Sequence, residues 1–136
     1  MPIAWRVDHV ARVVIAVASG KVADADLIAY QREAWSEPGV AGYDELLDVT
    51  RVQQPEVHRD GLRDAATLAA QMDDTRLSGR FAIVAESDVA YGLARMYQSY
   101  RELDRRSVRS VSVFRTMKEA LDFLGIDGTL ELPEAS

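Results

Sequence analysis

Two stretches decide how this chain folds: Val13-Val14-Ile15-Ala16-Val17-Ala18 and Phe81-Ala82-Ile83-Val84-Ala85. Both are too short for a buried helix and are apolar at every position. A strand with one wet face alternates polar and apolar residues, whereas a strand covered on both faces reads as an unbroken apolar run. Both runs therefore predict central strands. Ser19-Gly20-Lys21 punctuates the first, and Ser78-Gly79 turns the chain into the second.

Working outward, Ile3 to Asp8 alternates and reads as an antiparallel edge strand, reversed through His9-Val10-Ala11. Asp24 is placed to cap a helix running to about Ser36, with Leu27, Ile28, Gln31 and Trp35 near one stripe. Pro38-Gly39 stops that helix, and a third strand follows at roughly Glu45 to Thr50. Arg59 to about Asp74 is helical, with Leu62, Ala65, Ala66, Ala69 and Met72 on its inner face. Ser87 caps the longest helix, whose expected core stripe is Val89, Leu93, Met96, Tyr100 and Leu103. Val108 to Phe114 is the far edge strand. Thr116-Met117-Lys118-Glu119 is a capping box, in which hydroxyl and carboxylate each satisfy an orphan amide of a short helix ending near Leu124-Gly125.

Helices alternating with strands require crossovers and hence parallel neighbours. The expected architecture is an α/β domain with a mostly parallel five-stranded sheet and an antiparallel N-terminal edge strand. One domain spans 1–125, and 126–136 form a tail that is extended or loose.

Bulk properties remove whole classes of function. There is no Cys among the 136 residues, so no thiolate metal site, disulfide scaffold or Cys nucleophile exists. The net charge of −6 disfavours general binding to phosphate backbones, and no nucleic-acid partner is expected. Arg101, Arg105, Arg106 and Arg109 crowd together; at a helix end they offset the macrodipole and stay solvated, or meet an acidic patch on a partner. No apolar run approaches the roughly 20 residues of a membrane span, and no leader is legible at the N-terminus. A cytoplasmic protein is expected.

The order of elements, the stretch Phe81-Ala82-Ile83-Val84-Ala85-Glu86-Ser87-Asp88-Val89-Ala90-Tyr91-Gly92, and Val113-Phe114-Arg115-Thr116 followed by Glu119-Ala120-Leu121-Asp122-Phe123-Leu124 together resemble the SpoIIAA-like family of the STAS and CRAL-TRIO (Sec14) fold group. The resemblance covers about Trp5 to Gly125 and is one of packing and capping. It implies a βα superhelix with sequential strand order and helices mainly on one face. It also implies a non-enzymatic regulatory or protein-interaction module; the alternative is a small carrier or sensor for an apolar, lipid-like ligand. In the anti-anti-sigma branch the helix after the third strand begins Asp-Ser-Ser-Gly-Leu and carries a phosphorylated Ser. Here the nearest match is His58-Arg59-Asp60-Gly61-Leu62. Alignment on Gly61 puts Asp60 at the Ser position, and alignment without a gap puts His58 there. Neither accepts phosphate from a Ser kinase; a fixed charge at Asp60 would mimic the modified state, but an acid in a helix's first turn is the favoured explanation on helix-dipole grounds.

Ligands of parallel sheets favour the carboxyl ends of the strands. On that rim Ser87 and Thr116 are explained by capping, while Asp48, Thr50 and Arg51 have no evident capping duty and are the preferred ligand or partner rim, together with His58 and Asp60. His58 stands beside Glu56 and Asp60, a conceivable proton-transfer pair. No catalytic residue, cofactor site or metal-ligand spacing is legible. Tyr91, Tyr97 and Tyr100, with Trp35, could line an apolar slot. If the helices cover one face, the other needs a cover: helices split across both faces, the tail from Ile126 to Leu132, or a second copy; a homodimer is expected. A closed apolar cavity beside Trp35 and the tyrosine helix would favour the carrier; a solid core with a polar exposed rim around Asp48, Thr50 and Asp60 would favour the interaction module.

Overall fold

The computed structural model describes residues 2–73, 77, 79–128 and 130–134. Ser78, Asp74, Thr129 and Ser136, to which some of the expected turn, helix and tail boundaries extend, lie outside them. The elements run β1 (Ile3–Asp8), β2 (Val13–Ala23), α1 (Asp24–Trp35), β3 (Asp44–Glu56), α2 (Arg59–Met72), β4 (Arg80–Val84), α3 (Asp88–Leu103), β5 (Ser110–Phe114) and α4 (Met117–Leu124). The sheet order is β1-β2-β3-β4-β5; β1 is antiparallel to β2, and every later pairing is parallel. The expected α/β sheet, with its antiparallel edge, is the observed one.

Both deciding stretches lie inside the layer. Val13 to Ala18 and Phe81 to Ala85 are almost wholly buried. Their alternate side chains feed two cores. Val14, Ala16, Phe81 and Ile83 face α1, α2 and α3, while Val13, Ile15, Ala82 and Val84 meet Ala120, Leu121 and Leu124 of α4. Ile126, Leu130 and Leu132 of the tail also pack on this second core. The tail is thus held by apolar contact rather than loose, and with α4 it covers the face for which a second copy was one expected cover.

The expected N-caps of α3 and α4 are in place, but the capping box of α4 is half made, since Glu119 Oε1 accepts from Thr116 Oγ1 at 2.9 Å. Ser87 Oγ accepts from the Ala90 amide at 3.1 Å, and Thr116 Oγ1 from the Glu119 amide at 3.2 Å. Gly125 ends α4 at φ 71°, a left-handed conformation that costs a glycine nothing. Asp24 does not cap its own helix. The Ala23 amide donates to Asp26 Oδ2 at 2.8 Å, which leaves the Asp24 carboxylate free for the start of α2.

Two further expectations are corrected. β2 does not stop at Ser19-Gly20-Lys21, nor β3 near Thr50; the two pair on to Ala23 and Glu56 as a ribbon beyond the end of β4. Two bulges allow this. β3 sets Val49 and Thr50 against Ala18 alone, and then inserts Gln53 between the partners of Gly20 and Lys21. An extra residue in one strand bends it and shifts its alternation by one. The side chains on the helix-facing side therefore step from Glu45, Leu47 and Val49 to Val52 and then Pro55. Arg51, which unbroken alternation would aim at that side, is exposed.

α3 is also rotated from the expected stripe. Val89 and Leu103 are exposed, at 63% and 80%. The inward line is Ala90, Ala94, Tyr97 and Arg101, at spacings of four, three and four residues. A reading by hydrophobicity alone discards Arg101, and with it the true face.

Candidate functional site

Between the sheet and α1, α2 and α3 lies an apolar pocket of about 110 Å³. The fold builds it from the positions just derived. Val49, Val52 and Pro55 of the bulged ribbon form one wall, Leu27 of α1 and Leu62 and Ala65 of α2 another, and Ala90, Leu93 and Ala94 of α3 the third. Two small alanines of α3 keep the space open, since larger side chains there would fill it. Val49, Val52 and Val57 are only partly buried, so the pocket reaches the surface along the ribbon.

The inner lining is polar at four side chains: Tyr30, Gln31, Glu45 and Tyr97. Glu45 is 2% exposed. Tyr30 Oη donates to Glu45 Oε2 at 2.7 Å, a bond that suits a buried carboxylate. Burial pushes the Glu45 carboxyl up from its ordinary value, opposed by the charge of Arg109 and by the Tyr30 bond. Burial also raises the Tyr30 hydroxyl well above its ordinary value, with Glu45 adding to the effect, and raises that of Tyr97 against the opposing charge of Arg101.

Behind this floor sits a smaller polar cavity of about 50 Å³, bounded by Gln31, Trp35, Glu45, Asp73, Arg101 and Arg109 among others. Asp73 is its hub. Its Oδ2 accepts from Arg101 Nη2 at 2.9 Å and from the Val108 amide at 3.2 Å, and Arg109 Nε lies 3.8 Å from Oδ1. Arg101 Nε donates to Ser107 Oγ at 2.8 Å and Nη1 to Tyr97 Oη at 3.0 Å. Arg109 donates to the Tyr43 carbonyl and stacks on Trp35, 4.3 Å from the ring centroid. Among the described residues, buried Trp35 Nε1 has no hydrogen bond of ordinary geometry. The arginine cluster is therefore split. Arg101 and Arg109 are buried in ion pairs, and Arg106 pairs with Asp104 at the surface, where no solvated four-arginine patch remains.

The rim residues read from sequence do not converge. Asp48 belongs to the α4 face, as its sheet partners Val17 and Val84 show, and its Oδ1 accepts from both the Thr50 amide (2.9 Å) and Thr50 Oγ1 (2.7 Å). That bond satisfies an amide within the first bulge, a duty invisible when the strand is taken to end there. Arg51 is exposed beside it. His58 and Asp60 lie at the start of α2, on the opposite face. His58 Nδ1 stands 3.0 Å from Asp24 Oδ2, so its partner is neither Glu56 nor Asp60. Asp60 is exposed and reaches Arg63 only at 3.9 Å. His9, the other histidine, contacts Tyr43 Oη at 2.9 Å. Among the described residues no group of three or more His, Cys, Asp or Glu is placed to hold a metal ion, and no helix is long and apolar enough to cross a membrane.

Sequence reading named Tyr91, Tyr97, Tyr100 and Trp35 as slot residues; Tyr91 and Tyr100 line neither cavity and instead carry Arg115 and Arg63 over their rings, and Glu45, Asp73 and the buried roles of Arg101 and Arg109 were missed. Of the slot residues, Tyr97 lines the apolar pocket and Trp35 the polar cavity behind it. The one legible signal was Glu45, an acid beside Leu46 and Leu47 near the start of β3.

No family model matches this chain, and no curated protein does. Among solved structures, it is similar to an uncharacterized protein of the DUF3478 family with a SpoIIAA-like fold from Shewanella loihica PV-4. The likeness has a TM-score of 0.59 and 17% identity, and covers 90% of this chain and 93% of that one. The fold of the chain is SpoIIAA-like, as the resemblance in its sequence implied.

Proposed function

We propose that this SpoIIAA-like domain is a non-enzymatic regulatory module that works by holding a small apolar molecule in the pocket beneath α1, α2 and α3, as a sensor or carrier. One observation carries the reading: a pocket walled by Val49, Val52, Leu62 and Leu93 beside the tyrosine-bearing helix, built by two bulges and two alanines. Ligand sites are typically concave, mostly apolar and fitted with a few polar groups, which describes this one. Titration with benzene, followed by amide NMR, tests it. Shifts confined to lining residues such as Val52, Ala65 and Ala94, and their loss in Ala94→Leu, are the expected result. Absence of saturable shifts at those residues would sink the proposal.

A second reading, a protein-interaction module, draws on the exposed start of α2. There the His58 and Asp60 side chains are 77% and 89% exposed, at the place where the resembled branch carries its phosphoacceptor. Self-association as a homodimer belongs with this reading, although α4 and the tail already cover the second face of the sheet. Light scattering of the chain at tens of micromolar distinguishes a dimer from a 15.1 kDa monomer.

A further inference from the structure

We infer that the pocket selects a small, neutral molecule with a single hydrogen-bonding end, and discriminates against carboxylates and amines of the same size. The inference rests on the reading of the pocket as a ligand site and goes beyond it by fixing the size and charge of the ligand.

Size comes first. Pockets for drug-sized ligands measure roughly 300–1,000 Å³, and an apolar cavity of about 150 Å³ accommodates benzene. At about 110 Å³, and open along the ribbon, this pocket takes a group of about the size of a benzene ring, or a short chain whose far end emerges there. A whole lipid does not fit inside.

Charge follows from the floor. A ligand in the pocket meets Glu45, Tyr30, Gln31 and Tyr97; Arg101, Arg109 and Asp73 stand behind them around the polar cavity. Among the described residues two carboxylates face two guanidiniums, so the described cluster is balanced. Each charge already has partners: Glu45 has Tyr30, Asp73 has Arg101 and the Val108 amide, and Arg109 has Asp73 and the Trp35 ring. An added carboxylate would enter a low-dielectric space beside Glu45 with no free cation among the described lining residues. An added ammonium would be stripped of water and left to compete with Tyr30 for a carboxylate already bonded. Burial of an ion without a dedicated partner is costly, and the charged ligand is rejected for that reason. A hydroxyl both donates and accepts, and can bond Tyr97 Oη or Gln31 without disturbing the balance.

The experiment holds the chain length fixed and varies the head: 1-pentanol, pentanoate and pentylammonium, titrated at pH 7 with benzene as the uncharged reference. Pentanol should bind at least tenfold more tightly than either ion, with shifts at the lining residues. If an ion binds as well as pentanol at those residues, the charge inference is overturned and the pocket reading stands. If neither benzene nor any pentyl compound moves them, both fall. Glu45→Gln removes one negative charge from the balanced group, so the pentanol-to-pentanoate preference should narrow at least fivefold; an unchanged ratio in a folded variant overturns the charge-balance argument. Tyr97→Phe leaves all four charges in place, and should weaken pentanol about three- to tenfold while leaving benzene unchanged; equal effects on both would overturn the hydrogen-bonding end.

Discussion

The carboxylate of Asp24 occupies the space that a side chain at Gly61 would need: a Cβ there would lie 2.0 Å from Asp24 Cγ. From that position Asp24 accepts the His58 amide at 2.9 Å and so caps α2, a helix other than its own. Glycine within a helix ordinarily costs about 1 kcal/mol relative to alanine. Here it lets one helix start be satisfied by the first turn of another. Gly61→Ala alone should fail to stabilise the protein, whereas in an Asp24→Ala background it should recover up to about 1 kcal/mol. Asp24→Ala itself should cost roughly 1 kcal/mol. Urea denaturation of the four members of this double-mutant cycle measures the coupling; additive effects would contradict the capping role.

Breaking the Arg101–Asp73 pair should be the most damaging change in the polar cluster. Their side chains are only 2% and 7% exposed at a separation of 2.9 Å. Removing one partner of a buried pair leaves an uncompensated charge and costs about 3–5 kcal/mol. Arg101→Met and Asp73→Asn should each fall in that range by chemical denaturation, and the double variant should lose less than the sum.

Tyr30 and Tyr97 make the fold sensitive to alkali. Both hydroxyls have pKa values raised above the ordinary 10.0, mainly through burial. A group whose folded value is raised holds its proton more tightly in the native state. Its stabilisation is complete below the unfolded value and is lost as pH rises through the folded one. Tm should therefore fall with increasing pH above about 10, on the unfolded tyrosine value. Tyr30→Phe should make that fall shallower, while costing about 1–3 kcal/mol at neutral pH because Glu45 loses its donor. An unchanged alkaline slope would contradict the assignment.

At the other end of the scale, Asp104 is held down to about 2, first by the side-chain bond from Arg106 and then by the Arg106 amide. A depressed acid stabilises the fold above its unfolded value of 3.8, and that contribution disappears as pH falls toward 2. Carboxyl NMR titration should show Asp104 among the last acids to protonate. Arg106→Ala should move it back up, toward the ordinary carboxylate range.

The tail should contribute to stability through its apolar side chains. Leu130 and Leu132 pack against the core formed with α4. Both are partly buried, so Leu130→Ala with Leu132→Ala should cost about 2 kcal/mol together. An unchanged denaturation midpoint would show that those contacts do not hold in solution.

The sequence by itself determined the layer and its punctuation. Val13–Ala18 and Phe81–Ala85 are central because no other placement hides both faces of such runs, and Ser87, Thr116 with Glu119, and Gly125 end helices through bonds made within a few residues of themselves. What only the tertiary structure decided is everything whose partner is distant in the chain. Tyr30 needs Glu45, Asp73 needs Arg101 and Arg109, and Asp24 needs Gly61; no local pattern announces such pairs. The same is true of the phase of a bulged strand and of the face a helix turns inward. Val52 and Pro55 line the pocket only because neighbouring β2 is shorter by two residues along the shared ladder, and Arg101 turns inward only because Asp73 is there to receive it. Local chemistry sets where elements begin and end, while the pocket depends on how their faces meet.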